Sequence, residues 1–361
     1  MSSRPRRLHR TARRVRPRPS SSACNSASLC QKPCGAVFRF VGLLVLFLTA
    51  CSEPEQTQQP EALRIGVPNQ ATSALVHLAL ERGYFAKRGL QVDPVFFDSG
   101  KLALAEGLLA GRVDYALSAE IPFLWQLRHE DDLRVLASVY SSDNANRIVG
   151  RRDRGIATLS DLRGKVIGTQ KDSAVHYFLY CVLRAQGYTE ADVTTSFLAA
   201  RDLPSALAEG RIDAFSAREP YVSEALDRLG DAAVVFSLPG AYLQSELLVG
   251  RLSELAGKPQ VARRLLQALI DAEDDGRKHA DEMVDIVARH LGADPRRIAR
   301  VLDDGFNAVL LDQSLLPLME AELQWMAGSV PGNGDEVTDI LRYIATEPLQ
   351  AVNPQRVLIV Q

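Results

Sequence analysis

One residue pattern occurs twice in this chain, and it restricts the possible folds more than any other feature. Residues 111–123 read GRVDYALSAEIPF, and residues 210–221 read GRIDAFSAREPY. Each copy follows a segment of helical character, Leu102 to Ala110 and Leu203 to Glu209. Each runs through Gly-Arg-β-branched-Asp into a short apolar strand. Each strand ends in Ser-Ala, then an acid, then a proline suited to the first turn of a helix. Order and spacing shared at this level predict two similar α/β lobes, each offering a strand end and a helix start to a common cleft. Coincidence is the competing explanation, because helix–Gly–strand junctions are common in α/β proteins.

A length of 361 residues suits two domains better than one. The hydrophobic fraction of 46% supports a globular core. Charge is unevenly placed. Residues 1–50 hold ten Lys and Arg and no Asp or Glu, so the remainder carries 32 basic against 44 acidic residues, a net charge of −12. That balance speaks against nucleic-acid binding.

The basic N-terminus has its own logic. Arg39 precedes an apolar run from Phe40 to Leu48, followed by Leu48-Thr49-Ala50-Cys51. A positive flank, a short apolar core and small residues at the cut make a signal peptide over residues 1–50. The run is too short to span a bilayer as a stable helix. The flank is long for a signal peptide, and a start nearer Val37 is the alternative. Leu-Thr-Ala-Cys resembles the bacterial lipobox, which would make Cys51 the lipid-modified first residue of the mature protein and anchor a soluble domain to a membrane. Cys24, Cys30 and Cys34 would be lost with the leader. Cys51 and Cys181 alone cannot build a disulfide framework or a cysteine metal site. Residues 51–62, polar and holding two prolines, read as the lipidated Cys and a flexible tether.

Strands and helices alternate from there. Leu63 to Val67 reads as a strand, Ala71 to Arg88 as a helix, Leu90 to Phe97 as a strand and Lys101 to Ala110 as a helix. The first repeat copy supplies a strand at Tyr115 to Leu117 and a helix from Pro122 to about Arg128; Leu133 to Tyr140 is a further strand. This alternation predicts a mostly parallel sheet covered by helices. Ser141 to Arg154 is polar and irregular apart from Ile148-Val149, and the first crossing between lobes is placed here. The second lobe repeats the plan with strands at Val166 to Thr169, Val193 to Leu198 and Ala233 to Ser237, and helices to about Ala185 and from Pro220 to Leu229. Leu247 to Gly250 reads as the crossing back. The expected division is therefore 63–147 plus 251–361 for the first lobe and 148–250 for the second. After Pro259 the chain reads as helices at Gln260–Gly276, His279–Leu291, Asp294–Asp304, Ser314–Met326 and Glu336–Ile344.

Three segments resemble one known family. Arg82 to Val92, RGYFAKRGLQV, resembles the "GYF-x-x-x-GL-x-V" element of periplasmic substrate-binding proteins of the nitrate/taurine/aliphatic-sulfonate group. Asp161 to Gly168, DLRGKVIG, resembles that group's "DLKGKKIG" turn, and Arg218 to Tyr221, REPY, resembles its "WEPY" element with Arg in place of the aromatic residue. The resemblance covers Leu63 to Arg251 well and the C-terminus loosely. It implies a type II periplasmic-binding-protein fold, in which two α/β lobes joined by a two-crossing hinge close on a small ligand. It also implies a monomer that delivers its ligand to an ABC permease and its ATPase, works at the cell envelope, performs no chemistry and holds no cofactor. The ligand would be a small sulfonate, a nitrate-like anion or a nitrogen-containing organic solute.

Ligands of open α/β sheets bind beyond the C-terminal ends of strands. Asn69 and Gln70 follow the first strand and carry neutral amides; an Asn-driven turn is the plain alternative. Ser99-Gly100 and Ser173-Ala174 each open a helix, where exposed N–H groups and a hydroxyl suit an oxyanion, although a simple N-cap looks the same in sequence. The repeat copies add Ser118 and Glu120 from the first lobe, and Glu219 and Tyr221 from the second. Glu120 is open to three readings: a partner for a cationic ligand group, a salt bridge across the cleft, or a solvated acid. Glu219 reads as a helix cap and His176 as a packed residue. No HExxH, paired Cys/His spacing, P-loop or G-x-S-x-G elbow is present. An enzyme on the same fold, or a binding lobe that signals to a membrane sensor, are the competing functions.

Overall fold

The computed structural model describes residues 59–329 and 339–360. The leader, the lipidation site Cys51 and most of the tether lie outside the described residues. The chain begins with β1 (Glu61–Pro68), α1 (Ala74–Glu81), α2 (Tyr84–Lys87), β2 (Leu90–Phe97), α3 (Gly100–Leu102), β3 (Tyr115–Ala119), α4 (Glu120–Leu127) and β4 (Leu133–Ser142). It continues through β5 (Arg147–Arg151), β6 (Val166–Thr169), α5 (Ala174–Ala185), β7 (Thr194–Phe197), α6 (Leu203–Ala208), β8 (Ala214–Ala217), α7 (Tyr221–Leu229) and β9 (Ala233–Phe236). It ends with β10 (Gln244–Arg251), α8 (Leu252–Gly257), α9 (Pro259–Lys278), α10 (Ala280–Leu291), α11 (Pro295–Asp303), α12 (Leu315–Ser329) and α13 (Glu347–Val352). No described helix is long and apolar enough to cross a membrane.

The strands form two five-stranded sheets of the same plan, β2-β1-β3-β10-β4 and β7-β6-β8-β5-β9. In each, three strands run parallel and the fourth is antiparallel to both its neighbours. That fourth strand is supplied by the chain arriving from the other lobe, which is why it enters reversed. The expected second lobe of 148–250 needs correction here. Leu247, Leu248 and Val249 are fully buried between β3 and β4, so they form a central strand of the first sheet and not a crossing. Burial on both faces is what an unbroken apolar run signals. Ile148 and Val149, the apolar pair within the otherwise polar stretch, form the middle of β5.

The repeated Gly-Arg-β-branched-Asp is the frame of each sheet. Gly111 and Gly210 turn the chain at φ 70° and 72°, a conformation that a side chain disfavours. The next apolar residues, Val113 and Ile212, are buried under the glycines of the adjoining strands: a Cβ on Gly66 would lie 3.3 Å from Val113, and one on Gly168 only 2.7 Å from Ile212. The aspartates then register the parallel strands. Asp114 accepts from the Arg64 N–H at 2.6 Å while its own N–H donates to the Arg64 carbonyl at 2.9 Å. Asp213 does the same with Val166, at 2.9 and 2.8 Å. Ile65, Val67, Leu117 and Ile167 are fully buried in the strands so aligned, each contributing about 1.5–3 kcal/mol of transfer free energy.

The crossings are residues 143–146 and 237–243. Asn146 Nδ2 donates to Gln244 Oε1 at 3.0 Å, and the Gly240 N–H donates to Asp143 Oδ2 at 3.1 Å, tying one crossing to the other. Behind them the C-terminal segment extends the first lobe. Its backbone bridges β4 at Ser138–Leu310, Ser141–Phe306 and Val135–Ile344. Asp304 also accepts from Asn144 Nδ2 at 3.0 Å and from Arg147 Nη2 at 2.7 Å. Trp325 of α12 packs its ring 4.9 Å from His176 and 5.3 Å from Tyr177 of α5, so this helix braces both lobes.

Helix boundaries follow the periodicity with three exceptions. The helix expected from Ala71 to Arg88 is divided at Gly83, whose φ of 68° ends α1. The helix after Gly100 opens into a π-helical turn over Ala103–Leu109. Of the helix expected over residues 336–344, residues 336–338 lie outside the described residues and Leu341–Tyr343 is a single 3-10 turn.

Candidate functional site

A cleft lies between the C-terminal strand ends of the two sheets. A small pocket in it opens to solvent. The first lobe lines it with Gln70 and Ser99; the second lines it with Gln170, Ser173, Ala174, Val175, Ala200, Leu203, Ala217, Arg218 and Tyr221. Gln70 and Gln170 follow β1 and β6, the equivalent strands of the two sheets, so the pocket inherits the symmetry of the fold.

The helix starts are set as the sequence suggests. The Ser99 hydroxyl accepts from the Leu102 N–H at 3.4 Å, and the Ser173 hydroxyl accepts from the His176 N–H at 3.4 Å while donating to the Gln170 carbonyl at 2.6 Å. Asp172, just before this cap, has φ 54°, a left-handed conformation that Asp tolerates better than most residues. The residues lining the pocket are apolar or neutral, with one exception. Arg218 is the charged side chain in the lining, and its buried Nη1 has no hydrogen-bond partner. Opposite it, Gln70 Oε1 is buried and also without a partner. Unmatched polar groups on residues that line one cavity are what a ligand would satisfy. Burial pushes the Tyr221 hydroxyl's pKa up, with the Arg218 charge acting against that rise.

Two contacts fasten the cleft at its rim. Arg201 Nη1 of the second lobe reaches Asp98 Oδ2 of the first at 3.0 Å, and Lys101 Nζ donates to the Lys171 carbonyl at 3.0 Å. Both join residues on opposite sides of the pocket, so the arrangement is a closed one.

Of the ten residues nominated from the sequence, Gln70, Ser99, Ser173, Ala174 and Tyr221 come together around this pocket. The other five sit elsewhere. Asn69 is exposed, with its N–H donating to the Phe97 carbonyl at 2.8 Å. Gly100 lies against the first sheet, where a Cβ would come within 2.9 Å of Ser118 Cα. Ser118 is buried, and its hydroxyl is turned to the Ala119 carbonyl at 3.2 Å. Glu219 accepts from Ser223, from the N–H at 3.1 Å and the hydroxyl at 2.8 Å, which secures the first turn of α7. The expectation that Glu120 meets a ligand is not supported by its position. It is fully buried, and its oxygens accept from the Ser245 N–H and from the Tyr242 hydroxyl, the latter at 3.2 Å. Burial pushes its pKa up to about 8. Burial, with the Glu120 charge, also raises Glu322 of α12 well above the usual carboxylate range. His176 is packed, as its sequence setting suggests, with Nε2 3.1 Å from Glu190 Oε1 and its ring edge-on to Phe197 and Trp325.

Sequence reasoning missed Arg218 as a site residue and noted it only as a departure from the family's aromatic position. The departure was the available signal, because a cation replacing an apolar residue beside a strand end needs a partner. Among the described residues no group of three or more His, Cys, Asp or Glu side chains could hold a metal ion.

Two lobes of this topology, closing on a cleft through a double crossing, define the periplasmic-binding-protein fold. The alkanesulfonate-binding protein from Xanthomonas axonopodis pv. citri, solved bound to MOPS, is similar in structure, with a TM-score of 0.69 at 22% identity over 80% of this chain and 99% of that one. The chain belongs to the NMT1/THI5-like family, whose model matches residues 70–283. Among curated relatives, a protein of Bacillus subtilis (strain 168) named for aliphatic sulfonate binding is 27% identical over 261 residues, 71% of this chain and 78% of its own length. One of the same name from Escherichia coli (strain K12) is 29% identical over 170 residues, 46% of this chain. That match spans about half the relative's length, 52%.

Proposed function

We propose that this chain is the solute-binding component of an ABC importer and that it captures a small organic sulfonate between its lobes without chemistry. The observation that carries the reading is Arg218, a partly buried guanidinium with an unfilled donor in a cleft otherwise lined by neutral side chains. A guanidinium and helix-start N–H groups suit a tetrahedral oxyanion, and the apolar Val175, Ala200, Leu203 and Ala217 suit an alkyl tail. The names of the relatives from Bacillus subtilis and Escherichia coli point to the same ligand class. In this reading, closure across Arg201–Asp98 presents the loaded form to a permease, and an acyl chain on Cys51 keeps the protein at the membrane. A single binding domain needs no second copy, so the working form is a monomer.

Isothermal titration of the mature domain with a series of alkanesulfonates tests the ligand class. Saturable one-to-one binding is expected, together with a rise in melting temperature, since the ligand binds only the folded state. Heat from nitrate or from neutral pyrimidines alone would overturn the sulfonate reading. Mass spectrometry of the envelope fraction tests the anchor, and an unmodified Cys51 thiol would remove it.

A further inference from the structure

Beneath the first-lobe wall of the cleft lies a second ionisable group that the ligand reading leaves unused. Glu246, at the start of β10, is fully buried. Its Oε2 accepts from the Thr72 hydroxyl at 3.4 Å, and its Oε1 has no partner. Oε1 would lie 3.1 Å from a Cβ placed on Gly100, directly behind the pocket residue Ser99. No Lys, Arg or His forms an ion pair with it among the described residues, yet the Arg218 charge acts on it across the cleft. Burial raises its pKa, and Arg218 works against that rise. The other ionisable groups around it are Glu120, whose own pKa is pushed up partly by Glu246, and Tyr140, its cross-strand neighbour.

These positions leave one cation in the pocket and one uncompensated carboxyl behind it. We propose that Glu246 discriminates ligands by charge, admitting singly charged anions to Arg218 and disfavouring doubly charged ones. The inference rests on the anion-binding reading above. A monoanion pairs with the guanidinium and leaves the local charge no more negative than that of Glu246 alone. A dianion of the same size adds a second negative charge to a dry site that holds one already, where like charges repel far more strongly than in water. Glu246 acts here as a specificity-determining residue through its field, with no contact to the ligand required.

Methanesulfonate and sulfate test this, because they match in size and differ in charge, and sulfate stays a dianion at the pH used. Competition calorimetry at pH 8.5 compares their affinities in the wild type, in Glu246→Gln and Glu246→Ala, which remove the charge, and in Glu246→Asp, which keeps it. The wild type is expected to favour methanesulfonate. In the neutral variants the preference should shrink by about tenfold or more, and in Glu246→Asp it should largely persist. A thermal melt of each variant confirms that it is folded, and either neutral variant carries the test if the other disturbs folding. A preference unchanged in the neutral variants, with methanesulfonate still bound, overturns the role of Glu246 alone. A wild type that binds neither methanesulfonate nor a longer alkanesulfonate overturns the anion reading itself.

Discussion

The two copies of the repeated stretch agree in their first half and part company in their second. In both, glycine turns the chain, a β-branched residue fills the space left by a neighbouring glycine, and aspartate holds the adjoining parallel strand in register. Beyond the strand, copy one sends Glu120 into the interior, against Ser245 and Tyr242. Counted from the frame aspartate, copy two carries Arg218 where copy one has Ala119, and this residue lines the cleft while Glu219 caps the helix. Backbone geometry tolerates one solution and is repeated. The residue after the strand end meets a different neighbourhood in each lobe, and there the lobes acquire separate tasks.

The sharpest way to break this comparison is to remove the residue that copy one lacks. Arg218→Ala should weaken alkanesulfonate binding by about 2 kcal/mol or more, roughly 30-fold, because a partly buried charged partner is lost. Its melting temperature without ligand should change little, and calorimetry beside a thermal melt separates the two effects. An equal loss of stability and of affinity would mean that Arg218 belongs to the frame after all.

Glu120 supplies the counterpart in copy one, through pH. Its folded pKa of about 8 stands above the ordinary 4.5, because burial penalises the charged form. The folded protein therefore keeps a proton that the unfolded chain releases. Stability is fully present below about pH 4.5 as far as this group is concerned and declines as pH rises towards 8. The slope should reach at most about 1.4 kcal/mol per pH unit. Urea unfolding at several pH values should show this decline in the wild type and a flatter profile in Glu120→Gln.

The shared half of the repeat can be tested for equality. Gly168→Ala places a Cβ 2.7 Å from Ile212 and 2.8 Å from Leu203, whereas Gly66→Ala meets nothing closer than 3.3 Å. Overpacking at the first site should cost about 1–3 kcal/mol, and clearly less at the second. Equal midpoints in urea would show that the second frame is the looser of the two. The smallest effect is expected at the rim. Arg201→Ala removes an exposed pair with Asp98, and ligand affinity should fall only about two- to fivefold, less at high salt.

Much of the fold was legible because its signals are local. The strand Leu90–Phe97 and the strand Val166–Thr169 have the limits that their apolar runs announce, and Ser173 caps α5 where Asp-Ser precedes an apolar period. The site was half legible. Ser99, Ser173 and Tyr221 follow from strand ends and helix starts, whereas Glu120 was nominated and lies buried, and Arg218 was not nominated and lines the cleft. Both flank a strand end in the same motif, and the surroundings of each strand end decide which side chain reaches the cleft.

By itself the sequence determined two α/β lobes, their parallel order and the places where ligand-facing loops begin, since periodicity and turn chemistry act over a few residues. Tertiary structure decided the rest. It made Leu247–Val249 a central strand of the first sheet, because only the assembled lobe shows which strands flank that run. It also buried Glu120 and left Arg218 facing the cleft without a partner for Nη1. Burial and pairing depend on residues distant in the chain, and no local pattern encodes which charge will find itself alone.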